Sequence, residues 1–190
     1  QVIGIATGDM GISSNGEQKA SYTPGMALKA KYTVFAEGCR GQLGKQLIEK
    51  FDLDAESGTQ HYAIGIKELW DIPAEQHQPG KVVHGFGWPM SESNSTGGVF
   101  LYQLENQQVV VGLITDLNYS NPHVSPFDEM QRFKLHPRIR QTLEGGKRIS
   151  YGARAINKGG FQAIPKLTFP GGLMVGCNAG FMNYAKIKGS

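Results

Sequence analysis

Apolar and polar positions alternate in short bursts along most of the chain, and only a few stretches carry a helical period. The run Val2-Ile3-Gly4-Ile5-Ala6 predicts a strand, and Asn15-Gly16 is a hairpin-turn signal. Residues 27–31 lead into a short apolar strand, Tyr32-Thr33-Val34-Phe35-Ala36, which ends at Glu37-Gly38. Beyond Gly41, Leu43, Leu47, Ile48 and Phe51 recur at helical spacing. Residues 54–60 are polar and read as a boundary. The texture then changes. Strands are expected over 61–69, 81–88, 98–104, 108–115 and 148–156, and Pro79-Gly80, residues 91–98 and Asn106 separate them. Strands at such short intervals imply a largely antiparallel sheet. One helix interrupts them. Ser125 is its N-cap, Pro126 its first position and Asp128 completes a capping box. Phe127, Met130 and Phe133 are expected to face the core. Pro137 ends this helix, and a second short one runs to Gly145-Gly146. Gly171 to Gly176 predicts a buried strand that leads into Cys177-Asn178-Ala179-Gly180. The fold class is α+β, with no internal repeat.

Composition narrows the field. Of 190 residues 26 are Gly and 9 are Pro, too few together for a low-complexity or collagen-like chain. The excess glycine must serve turns or close backbone approaches. Net charge is only +3, which gives no argument for nucleic acid. Its distribution is uneven: between Arg132 and Lys158 there are eight Lys or Arg and one acid, Glu144. Such a stretch is either a solvated helix face or a surface for acidic lipid head groups or an acidic partner. Cys39 and Cys177 lie far apart and form neither a disulfide framework nor a Cys-x-x-Cys pattern, which favours a reducing compartment. No apolar run reaches the roughly 18–20 residues of a membrane span, and no signal peptide is expected. The abrupt ends suggest a piece of something longer.

Three segments carry candidate chemistry. Leu173 to Asn183 is an apolar strand followed by small residues, Gly176, Cys177 and Gly180 among them. Small residues at a strand's carboxyl end let a ligand touch backbone, and a following helix start offers N–H groups to a pyrophosphate. A tight turn with no ligand explains the segment equally well. Thr33 to Gly41 repeats the logic as strand, acid, glycine, helix. The usual opening fingerprint G-x-G-x-x-G is absent, so a cofactor crevice would be incomplete. Gly97-Gly98 opens the aromatic strand Val99-Phe100-Leu101-Tyr102. There the glycines either admit a flat ligand or mark a bulge or turn. His61, His77, His84, His123 and His136 show no ligand spacing and read as structural or surface residues. No Ser-His-Asp set or carboxylate pair stands out.

Together these segments resemble the electron-transfer flavoprotein–ubiquinone oxidoreductases, also called electron-transfer flavoprotein dehydrogenases. The resemblance rests on Thr33 to Cys39, Gly65-Ile66-Lys67-Glu68-Leu69-Trp70, Gly97 to Tyr102, Asn121-Pro122 and Ser125-Pro126-Phe127. It continues through Leu143 to Ala155, then from Phe161 through Ile164 to Gly172, and on through Gly180-Phe181-Met182-Asn183 to Lys186-Ile187-Lys188-Gly189. It spans essentially the whole chain.

The resemblance implies an oxidoreductase of electron transport. It would pass electrons from reduced electron-transfer flavoprotein through a [4Fe-4S] cluster and FAD to ubiquinone. It would sit on one face of a bacterial or mitochondrial inner membrane, as in a respiratory chain. Residues 1–59 would be part of an FAD-binding α/β domain of the glutathione-reductase-like type. Residues 60–158 would be an inserted ubiquinone-binding domain, and 159–190 would return to the FAD domain. The cluster ligands would lie outside this chain, leaving no metal site in it, and the chain alone would not turn over. Gly97 and Gly98 match a quinone-binding glycine pair, with Thr96 where the family has tyrosine. Glu37 and Gly38 match the second flavin motif, and Gly176, Cys177, Gly180, Phe181, Met182 and Asn183 the third. Cys177 would line the flavin. No residue is assigned a catalytic role, since the cofactors carry the electrons. Two other readings compete: an FAD-dependent isoprenoid reductase or hydroxylase of related fold, and a non-catalytic module that anchors a membrane or partner.

Overall fold

The computed structural model describes residues 1–182. In chain order its elements are β1 (Gly4–Ala6), β2 (Met10–Ile12), β3 (Gln18–Thr23), β4 (Ala27–Lys29), β5 (Thr33–Phe35), α1 (Gln42–Phe51), β6 (Tyr62–Asp71), β7 (Val82–Phe86), β8 (Gly97–Gln103), β9 (Gln108–Asp116), α2 (Pro126–Leu135), α3 (Pro137–Leu143), β10 (Lys147–Asn157), β11 (Thr168–Phe169) and β12 (Gly172–Met174). Single 3-10 turns punctuate them. The class is mixed α/β with antiparallel sheets. Two compact units form, one from residues 1–58 with the segment from Gly160 onward, the other from Thr59–Gly159.

The second unit is built on one antiparallel sheet with strand order β10-β6-β9-β8-β7. Residues directly opposite each other in neighbouring strands share a face. Leu101 pairs with Val111, and Val99 with Leu113, on the face that α2 and α3 cover. There Leu101, Val109, Val111 and Leu113 pack with Met130, Phe133, Ile139 and Leu143. Each such buried side chain contributes about 1.5–3 kcal/mol. On the other face β8 presents Gly98, Phe100 and Tyr102, opposite Phe86, His84 and Val82 of β7.

α2 starts as its sequence dictates. The Ser125 hydroxyl accepts from the Asp128 N–H at 3.2 Å, and Pro126 needs no hydrogen-bond acceptor. One expectation fails here. Met130 and Phe133 are buried, but Phe127 is 60% exposed. At 3.6 residues per turn it lies roughly 110° around the helix from the centre of the arc of Glu129, Met130 and Phe133.

In the first unit β11, β12 and β5 form a three-stranded sheet in which β12 and β5 run parallel. Phe35, Leu47, Leu53, Phe169, Met174 and Ala179 form its core, and the Phe51 and Phe169 rings stack at 5.2 Å. β1 pairs with β4, and β2 with β3 around the Asn15-Gly16 turn.

Candidate functional site

β5 and β12 bring two of the sequence segments side by side, although their residues are far apart in the chain. Leu173 pairs with Val34 and Met174 with Phe35, so both strands deliver a turn at the same edge. The Val175 N–H donates to the Phe35 carbonyl at 3.0 Å, and the Asn178 amide donates to the same oxygen at 3.2 Å. Asn178 is buried and packs where a side chain at Gly41 or Gly44 would collide with it. This asparagine, which sequence reasoning passed over, ties the 176–180 turn to the start of α1. The only sequence signal was its place among small residues.

Glu37 has a structural role that the sequence reading did not assign. Its carboxylate accepts from the Leu43 N–H at 3.1 Å and the Gly44 N–H at 2.8 Å. It therefore satisfies the first turn of α1, whose N-cap Gly41 has no side chain to do so. These two donors are not left for a pyrophosphate. After β12 the chain makes a 3-10 turn over Gly176–Asn178, and the N–H groups of Ala179, Gly180 and Phe181 bond back to the carbonyls of residues 176 and 177. Within the described residues, which include Phe181 and Met182, no longer helix follows. Asn183 lies outside them.

Gly38 (φ 84°) and Gly176 (φ 62°) adopt left-handed backbone, and a Cβ at either would meet nothing within 4 Å. Bare, unobstructed backbone of this kind suits the close approach of a flat cofactor such as FAD. Each turn also carries a cysteine, Cys39 and Cys177. Burial pushes the Cys39 thiol pKa up, the neighbouring Cys177 pushes it further, and Arg40 opposes both. Both cysteines are free and partly buried.

In the second unit Gly97 and Gly98 behave differently. A side chain at Gly97 would overlap the Ile114 carbonyl, so the sheet itself requires glycine there. At Gly98 the nearest atom to an added Cβ is the Gly85 carbonyl oxygen at 3.4 Å, an ordinary contact. The sheet therefore does not demand glycine at 98. Its β7 partner Phe86 is 91% exposed. β7 ends at Phe86, so no β7 residue stands opposite Gly97. Further along this face the Phe100 ring lies over Gly112 and stacks on Tyr102 at 4.7 Å, and the Tyr102 hydroxyl is 3.2 Å from His84 Nε2. Thr96 is not idle. Its hydroxyl donates to Asp116, which also binds Lys158 at 2.6 Å.

The basic stretch is largely neutralised. Arg132 pairs with Glu129 and Glu92, Lys134 and Arg148 with Glu68, and Arg140 with Glu144. Ion pairing, not a free cationic surface, explains much of its charge. Among the described residues no helix is long and apolar enough to cross a membrane.

A family model described as ETF-QO, ubiquinone-binding matches residues 62–156. The chain is 63% identical over 190 residues to the electron transfer flavoprotein-ubiquinone oxidoreductase of Pseudomonas aeruginosa, covering 100% of this chain and 34% of that protein. It is 57% identical over 191 residues to the mitochondrial electron transfer flavoprotein-ubiquinone oxidoreductase of Homo sapiens, covering 100% of this chain and 31% of that one. The chain thus spans about a third of the length of the curated relatives it matches. Among solved structures, a flavoprotein/dehydrogenase from Cytophaga hutchinsonii aligns with TM-score 0.55 at 15% identity, over 94% of this chain and 40% of that one. A geranylgeranyl bacteriochlorophyll reductase-like protein from Thermoplasma acidophilum aligns with TM-score 0.55 at 15% identity, over 80% and 35%. These two likenesses show a shared fold. With the family model matching half of its residues, the chain belongs to the electron transfer flavoprotein–ubiquinone oxidoreductase family.

Proposed function

We propose that this chain is the part of an electron transfer flavoprotein–ubiquinone oxidoreductase in which electrons leave a flavin for ubiquinone. The carrying observation is Gly98, a glycine that the sheet does not need, on an open face beside the end of β7. A quinone head is flat and presents only acceptors. Backbone N–H groups at the Gly97-Gly98 pair would orient it, and a side chain at 98 would fill its place.

In this reading residues 60–158 are the ubiquinone-binding domain, inserted into an FAD-binding domain represented by 1–59 and 159–190. The turns at Gly38 and Gly176–Phe181 would hold FAD, with Cys177 beside it, Met182 and Asn183 following, and Glu37 fixing the first turn through α1. FAD, when bound, supplies the electron transfer itself. Reduced electron-transfer flavoprotein would be the donor, and the [4Fe-4S] cluster would be held by residues outside this chain. The protein would attach to one face of a bacterial or mitochondrial inner membrane.

The test uses the full-length protein with FAD bound. Ubiquinone reduction is followed with reduced electron-transfer flavoprotein as donor, for the unaltered protein and for Gly98→Val. Turnover that is lost on Gly98→Val with FAD retained supports the reading. Turnover unaffected by Gly98→Val removes the site, and no turnover in the unaltered holoprotein removes the function.

A further inference from the structure

We infer that Thr96, Asp116 and Lys158 form a proton-delivery chain to a quinone carbonyl oxygen seated at Gly97-Gly98; this rests on the quinone-site reading above. Reduction of a quinone to a quinol needs two protons as well as two electrons. Backbone N–H groups orient the carbonyl but cannot give their protons away. A titratable group connected to that oxygen can deliver one of the two protons.

Thr96 directly precedes the glycine pair and continues the alternation that puts Gly98 on the open face. The register sets it opposite Asp116, whose N–H donates to the Thr96 carbonyl at 2.9 Å. The Thr96 hydroxyl donates to Asp116 Oδ2. Lys158, just past the end of β10, donates to both Asp116 oxygens at 2.6 Å. Side-chain exposure is 13% for Asp116 and 24% for Lys158, so the pair is sheltered yet Lys158 still reaches solvent. The β6 residue across from Asp116 is Ala63, buried and uncharged. The other titratable side chains on this face of β7 and β8, His84 and Tyr102, bond to each other beyond Phe100. β6 and β10 also place Lys67 and Arg154 on this face, in register with Phe100 and Gly98; the hydrogen-bonded path from Lys158 toward the glycine pair runs through Asp116 and Thr96.

The step balances. FAD, when bound, would supply the two electrons, and reduction would leave negative charge on the quinone carbonyl oxygen. The Thr96 hydroxyl rotates from Asp116 toward that oxygen and transfers its proton, forming the quinol O–H. Lys158 Nζ protonates the Asp116 carboxylate, which passes that proton on to the Thr96 oxygen. The neutral Lys158 amine regains its proton from solvent. The second quinol proton comes directly from solvent.

The experiment compares two electron acceptors in the full-length holoprotein, with reduced electron-transfer flavoprotein as donor. A short-chain ubiquinone analogue needs protons, and ferricyanide does not. Thr96→Val and Lys158→Met should each slow quinone turnover by roughly 100-fold, the scale of lost acid–base assistance, with ferricyanide turnover unchanged. Thr96→Ser should restore quinone turnover to near its starting value. Quinone turnover unchanged in Thr96→Val overturns the chain. Parallel losses with both acceptors also overturn it, because they mark a structural role. Failure of the unaltered protein to reduce quinone at all counts against the quinone-site reading itself.

Discussion

Glu68 of β6 accepts two hydrogen bonds from Lys134 of α2, both at 3.0 Å, although 66 residues separate them in the chain. Trp70 Nε1 donates to the same carboxylate at 2.9 Å and Arg148 at 3.2 Å. Glu68 is 3% exposed. Burial alone would raise its pKa, but the bonds from Lys134, Trp70 and Arg148 and the charge of Lys134 outweigh it and hold the carboxyl below its ordinary value. A carboxyl with a lowered folded pKa contributes stability above the unfolded value and loses it as pH falls through the folded one. Glu68→Gln should therefore cost about 3 kcal/mol at neutral pH and flatten the acid side of the stability profile. Denaturant unfolding at neutral and acid pH measures both.

The two glycines of β8 should separate in their effects. Gly97→Ala drives a methyl into the Ile114 carbonyl and should destabilise the sheet by about 1–3 kcal/mol. Gly98→Ala meets only the Gly85 carbonyl at 3.4 Å and should leave the unfolding midpoint nearly unchanged. Equal midpoints for the two variants would contradict this geometry.

Glu37 should act as a remote cap. Glu37→Ala leaves the N–H groups of Leu43 and Gly44 without their acceptor, a loss of about 0.5–2 kcal/mol on the scale of helix caps. Hydrogen exchange at those two amides should accelerate while exchange in β6 and β9 stays unchanged.

The faces of α2 give a control. Met130 is fully buried, so Met130→Ala should cost about 2–5 kcal/mol. Phe127, three residues earlier and 60% exposed, should tolerate alanine with little change in the unfolding midpoint.

Cys39 should alkylate slowly. Its raised pKa keeps the thiol protonated at pH values where an ordinary cysteine already ionises. The stability that accompanies a raised pKa is present below the unfolded value and lost as pH rises through the folded one. The rate of iodoacetamide labelling against pH, in folded and denatured protein, locates the shift.

Much of this protein is legible in its residue pattern, because local chemistry is enough to specify it. The five strands of the second unit follow from alternation and from breakers such as Pro79-Gly80 and Asn106. The start of α2 follows from Ser125-Pro126, and its end from Pro137. The segments around Glu37-Gly38, Gly97-Gly98 and Gly176–Gly180 stand out as places for bare backbone. What the pattern leaves open is decided across strands. Glu37 turns back onto α1, and Asn178 joins two motifs more than 130 residues apart because β5 and β12 lie parallel. Only register reveals that Thr96 faces Asp116, that the sheet requires Gly97, and that Gly98 is free of that demand. Turns and amphipathic periods are set by neighbours in sequence, within reach of a few covalent bonds. Ion pairs, close contacts and open faces are set by which strands pair and in what alignment, and burial fixes that only when the whole sheet assembles.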